Sequence, residues 1–200
     1  MTAINVLKLA DSVHVLSDGR AGDGFAHSLV PKAMPIPHLN AVVATRGPAR
    51  LLGLMTLMLC TKSIAFDDLR GELGQLKWIC EQQSEPWQIE TLAAGFDVVV
   101  AGIGSKGPAA YLISNHGLHG LKPWHVFDIP YCLATPVVDQ GLLEAVCWAD
   151  DPLAEFPRLV DAQRAEPSVG GFAQLTSITA EGISTKLVRD YRDAVQVVLR

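Results

Sequence analysis

The alternation of apolar and polar positions changes period several times along the chain. Residues 2–9 alternate and then turn apolar, which predicts a strand. Asp11 and Ser12 mark a turn. Residues 13–18 alternate again, which predicts a second strand with two half-buried faces. Residues 19–24 form a glycine-rich loop. A phosphate cradle is rejected there, because no Gly-Lys-Ser/Thr and no helix start follow it. Residues 30–36 and 40–45 predict a hairpin around Pro37-His38-Leu39. Pro31 and Pro35 cannot donate to a ladder, so each must face away from a partner strand or sit at a bulge.

The middle of the chain switches to helical spacing. Residues 48–60 start with proline and are nearly all apolar, which predicts a buried helix. Phe66, Leu69, Leu73, Leu76 and Ile79 recur at helical intervals and predict a second helix over 66–83. Gly71 and Gly74 weaken it by roughly 1 kcal/mol each against alanine. Residues 96–103 and 109–114 predict a hairpin across 104–107. Residues 115–130 read as loop. His116 and His119 have a metal-like spacing, but they straddle Gly117 without a third ligand nearby, so a solvated loop is favoured. Residues 142–149 fit helix or strand equally. A helix is expected from Asp151-Pro152 to about residue 165. Strands follow at 171–178 and 183–187 around a turn, and residues 189–200 form a charged tail with an apolar end, either a last strand or a segment docked on a neighbour. This order can be layered as helices outside a two-sheet sandwich.

Composition narrows the classes. Of 200 residues, 49% are hydrophobic and 18% charged, which suits a filled core and argues against disorder. One domain over 1–200 is the simplest count. A net charge of −5 without a basic patch disfavours nucleic acid or an anionic membrane as main partner. No signal peptide and no apolar run of spanning length are evident. Cys60, Cys80, Cys132 and Cys147 are widely spaced and read as reduced thiols of a cytoplasmic protein. No metal or cofactor is called for.

The candidate chemistry lies in residues 1–47. Thr2 stands behind a removable methionine. At a free N-terminus a threonine carries its own base, since the α-amine has an ordinary pKa of about 8 and lies beside the hydroxyl. A nearby ammonium lowers that amine further. Lys32 is the only lysine between Lys8 and Lys62 and is the natural candidate. Asp18 would hold Lys32 charged and oriented. The backbone N–H of Gly47 would stabilise an oxyanion. Taken singly, each has an ordinary explanation: a small second residue, an Asp-Gly turn, a strand lysine, a strand end. Their combination and order point to an amide hydrolase.

The same residues carry a resemblance. Asp11 to Ala21 with its Asp18-Gly19-Arg20-Ala21 segment, then Lys32-Ala33-Met34-Pro35-Ile36, then Arg46-Gly47, resemble in order the proteasome β-subunit family and the peptidase of the bacterial heat-shock protease. Residues 98–112 and Gly170-Gly171 extend the likeness over most of the chain. The resemblance implies an α+β, four-layer αββα N-terminal-nucleophile (Ntn) hydrolase sandwich, with two antiparallel sheets between helix layers. It implies a threonine peptidase acting on a peptide or amide substrate, assembled as a homo-oligomeric ring, with an ATP-dependent unfoldase as a possible partner. It also adds Ser168 as a residue that helps hold the N-terminus.

The chain departs from the family pattern at several places. Gly22 stands where a threonine is usual, Arg46 where a small residue is usual, and Val169 separates Ser168 from the glycines. Two other readings stay open: a non-catalytic scaffold or assembly subunit, and a small-molecule amidase.

Overall fold

The computed structural model describes residues 2–22, 27–82, 93–118 and 120–191. Twelve strands are described: β1 (Ile4–Lys8), β2 (Val13–Asp18), β3 (Arg20–Gly22), β4 (His27–Leu29), β5 (Ala33–Ile36), β6 (Ala41–Arg46), β7 (Asp97–Gly104), β8 (Gly107–Ser114), β9 (Phe127–Asp128), β10 (Cys132–Thr135), β11 (Phe172–Thr179) and β12 (Gly182–Asp190). They form a five-stranded sheet in the order β10-β1-β2-β11-β12, a second in the order β5-β6-β7-β8-β9, and the separate ribbon β3-β4. Every pairing is antiparallel.

The helices are short: α1 (Leu51–Lys62), α2 (Leu69–Gly74), α3 (Leu76–Glu81), α4 (Gln140–Cys147), α5 (Pro152–Glu155) and α6 (Arg158–Gln163). The single helix expected over 66–83 is instead a 3-10 turn at Phe66–Asp68 followed by α2 and α3, which break at Gly74-Gln75. The helix expected to about residue 165 breaks at Phe156-Pro157, where proline supplies no N–H and crowds the preceding turn. Of residues 142–149, open to either reading, 142–147 belong to α4, whose start is capped by the Asp139 carboxylate on the Leu142 N–H. Helix α1 is not buried all round: Leu51, Met55 and Leu59 are covered, while Leu57 is 64% exposed.

The expected four-layer αββα Ntn-hydrolase sandwich is therefore corrected. The protein is mostly antiparallel β, three sheets and 12 strands among the described residues, with short helical pieces in place of continuous helix layers. The physical reason is local. Glycines and Pro157 interrupt the runs that were to build those layers, while both faces of the central strands are apolar and invite sheet.

That two-faced burial sets the core. Ile4, Val6, Val13, Val15 and Ile178 of the first sheet pack with Val42, Ala44, Val99, Ala101 and Leu112 of the second. The alternate residues Val43, Val98, Val100 and Ile113 meet Leu51, Met55, Leu59, Leu69 and Leu73. Leu7, Leu16 and Leu175 meet Val146, Phe156, Leu159 and Val160. Each fully buried Val, Leu, Ile, Met or Phe among them contributes about 1.5–3 kcal/mol. Residues 97–104 and 107–114 form the predicted hairpin, closed at Gly104–Gly107. Residues 182–190 form a longer return strand than expected; the rest of the tail, 192–200, lies outside the described residues. No helix of the described residues is long and apolar enough to cross a membrane.

Candidate active site

Antiparallel order brings distant pieces of the chain to one end of both sheets. Thr2 precedes β1, Asp18 ends β2, and Ser168 and Gly170 precede β11. The register pairs Ile4 with Ser17 and Asp18 with Ala173, so these points are neighbours. In the other sheet Lys32 precedes β5, Gly47 follows β6, Asp97 opens β7 and His116 lies just past β8. Arg46 pairs with Asp97, and Asp97 with Ser114. The strand ends of the two sheets flank one cleft of about 1070 Å³, lined by Thr2, Lys32, Gly47 and Ser168 among others. That volume is at the upper end of the range usual for small-molecule clefts.

The geometry at Thr2 is specific. Lys32 Nζ donates to Thr2 Oγ1 at 2.7 Å and to the Arg20 carbonyl at 2.7 Å. It lies 3.7 Å from Asp18 Oδ1. Asp18, with no exposed surface, accepts from three backbone N–H groups: Ala3 at 2.8 Å, Arg20 at 3.2 Å and Gly170 at 3.1 Å. One carboxylate thus fixes the start of β1, the β2–β3 turn and the approach to β11 while it faces the lysine. Burial pushes the Asp18 carboxyl above its ordinary value, against the Lys32 ammonium and the three N–H groups. Burial likewise pulls Lys32 below its ordinary value, opposed by Asp18. Both shifts have one cause, the loss of water around a close pair.

All five residues singled out from the sequence meet at this place: Thr2, Lys32, Gly47 and Ser168 on the wall, Asp18 directly behind it. Gly47 has φ +128°, in the region that favours glycine, and an added Cβ would stand 2.8 Å from the Phe96 Cβ. Gly47 is exposed on the cleft wall, with Phe96 and the Gly95 carbonyl packed on the side a Cβ would occupy. The loop expected at 19–24 is in part strand β3, and Arg20, Ala21 and Gly22 line the cleft; residues 23–26 lie outside the description.

The sequence reading missed a second group. Arg46 Nε lies 2.6 Å from Asp97 Oδ2, and Arg46 Nη1 donates to Thr135 Oγ1 at 2.9 Å. His116 Nε2 lies 3.3 Å from Asp97 Oδ1. The Arg46 contact is a close ion pair and the His116 contact sets a ring nitrogen beside the same carboxylate, although neither Asp97 oxygen receives a well-aligned hydrogen bond. As the solvated-loop reading expects, His116 lies on an exposed bend; its ring also lines the cleft beside a carboxylate of zero exposure. Asp97 was hidden because it opens an apolar run. Arg46 was visible as an unusual neighbour of Gly47, but only the register shows its partner. His119 lies outside the described residues, and among those residues no set of three or more His, Cys, Asp or Glu can hold a metal ion.

No protein-family model matches the chain, and no curated protein matches it.

Proposed function

We propose that the chain is an N-terminal threonine amide hydrolase, similar in its site to proteasome-like peptidases. The observation that carries this reading is the 2.7 Å contact from Lys32 Nζ to Thr2 Oγ1, with Asp18 locked behind the lysine. Removal of Met1 turns the Thr2 nitrogen into an amine. That amine takes the hydroxyl proton, directly or through one water, as Oγ1 attacks the substrate carbonyl. The Lys32 cation lowers the amine's proton affinity and steadies the developing alkoxide. The Gly47 N–H faces the oxygen that becomes negative. Collapse of the adduct breaks the C–N bond, and the protonated amine returns its proton to the leaving nitrogen. Water then attacks the Thr2 ester, with the same amine as base, and frees the acid.

The reading extends to a homo-oligomeric ring, for which Leu57, Ile64 and Trp78 offer exposed apolar contacts on the α1–α3 side. An unfoldase partner belongs to the same proposal. The test is Thr2→Ala. Hydrolysis of a fluorogenic peptide amide should vanish while the folded state and assembly persist. Unchanged activity in Thr2→Ala overturns the reading. An inactive wild-type protein that keeps Met1 would favour the scaffold.

A further inference from the structure

The cleft has an uneven division of charge. Its described walls carry the cations Lys32, Arg20 and Arg46, and no Asp or Glu. The two acids that belong to this region, Asp18 and Asp97, have no exposed surface and stand behind the cations they hold, Lys32 and Arg46. The same construction is thus used twice: a buried carboxylate positions a cation whose far side meets the cleft.

The cations differ in what they have left to offer. Lys32 is spent on Thr2, Asp18 and the Arg20 carbonyl. Arg46 uses Nε on Asp97 and Nη1 on Thr135, and among the described residues Nη2 has no partner. Arg20 gives Nη1 to the Pro167 carbonyl at 3.0 Å and faces no acid among the described residues. A guanidinium held by a neutral carbonyl keeps its full charge, and its fork suits a carboxylate. Arg46 also directly precedes Gly47, whose N–H is assigned to the oxyanion, and both residues line the cleft. The surrounding walls, Pro48, Ala49 and Leu52, are apolar and strengthen the field of these charges.

We infer that the cleft selects substrates bearing a carboxylate close to the scissile amide, with Arg20 and Arg46 as its anchors. This rests on the hydrolase reading for the word substrate, but the anion preference itself is a binding property and can be measured without turnover. Glutamyl or aspartyl side chains and a nearby terminal carboxylate share the required chemistry. Neutral or basic groups of the same size lack it.

The experiment uses the full chain carrying Thr2→Ala. Acetylated tripeptide amides ending in Glu, Gln, Leu or Lys are titrated by calorimetry, together with the Gln peptide as free acid. The Glu amide should bind about tenfold more tightly than the isosteric Gln amide, as expected for added charge-assisted hydrogen bonds. A gain in the Gln free acid would place the recognised carboxylate at the terminus instead of the side chain. Arg20→Gln should reduce the Glu preference severalfold, and so should raised salt. Because Arg46 neutralises buried Asp97, its role is read in the double variant Arg46→Met/Asp97→Asn, checked for folding by circular dichroism. Equal affinity for Glu and Gln, or a preference for Leu or Lys, overturns the inference. A Glu preference without any Thr2-dependent hydrolysis would keep the anion site and remove the hydrolase.

Discussion

Lys32 Nζ donates a 2.7 Å hydrogen bond to Thr2 Oγ1, and the two residues enter from different sheets. The contact depends on stacking the β1 end of one sheet against the β5 end of the other. Asp18 anchors it by accepting from Ala3, the residue next to Thr2, while facing Lys32. Nucleophile and cation are thereby referred to one buried carboxylate. Lys32→Ala should lower kcat by about 10²–10⁴, the usual range for losing a positioned group in proton transfer. Lys32→Arg should also fail, because a planar fork cannot occupy the place of a compact ammonium beside Thr2 Oγ1. Steady-state kinetics on a peptide amide checks both.

The pair also makes stability depend on pH. The folded-state value of Lys32 lies below its ordinary 10.5 because of burial. Between those two values the unfolded chain binds more protons than the folded one, so stability rises with pH across that window. The penalty of charging Lys32 is fully present below the folded value and is gone above 10.5. Replacing both partners, Asp18→Asn with Lys32→Met, removes this dependence. At neutral pH the double variant should be neutral or up to about 1–4 kcal/mol more stable, and the wild type should close that gap as pH approaches 10.5. Urea denaturation at pH 7 and pH 10 measures it. A gap that widens with pH contradicts the assignment.

Gly47 combines a positive φ of +128° with a close backbone neighbour, so Gly47→Ala shifts the N–H proposed to stabilise the oxyanion. Hydrolysis should fall by about 10²–10³ in kcat, the range for one lost donor. Stability should fall by about 1–3 kcal/mol from backbone strain. Activity unchanged at this cost in stability would remove Gly47 from the chemistry.

Arg20→Gln gives a separate expectation for catalysis. With Glu and Gln substrates compared at equal conditions, the variant should lower the ratio of their kcat/KM values severalfold. The remaining preference should weaken further as salt is raised. A ratio that does not move would show that Arg20 does not face the acyl group.

The outline of the site was legible in the sequence because its members stand at strand ends, and strand ends are marked by punctuation. Asp18-Gly19, Pro31-Lys32 and Arg46-Gly47 are such marks. Antiparallel alternation then decides which ends share a side. The Asp97 group was not legible, because its partners are set by register: Arg46 opposite Asp97, and Asp97 opposite Ser114 near His116. The helix runs 66–83 and 150–165 misled for another reason. Apolar spacing shows which face is buried, but not that Gly74-Gln75 and Phe156-Pro157 interrupt the backbone hydrogen bonds. The expected helix layers failed at those points. The strands with two apolar faces, such as β2, β6, β7 and β11, were read nearly at their bounds, while the short β3, β4, β9 and β10 were not anticipated, β9 lying inside the stretch 115–130 read as loop.

The central claim is a free amine at Thr2 beside its own hydroxyl. The direct measurement is the mass of the N-terminal peptide from hydrolytically active protein, before and after treatment with a β-lactone that acylates nucleophilic hydroxyls. The account predicts a chain that begins at Thr2 and gains one acyl group there, with activity lost in proportion. Active protein that keeps Met1, or inactivation with the acyl group on another residue, would contradict it.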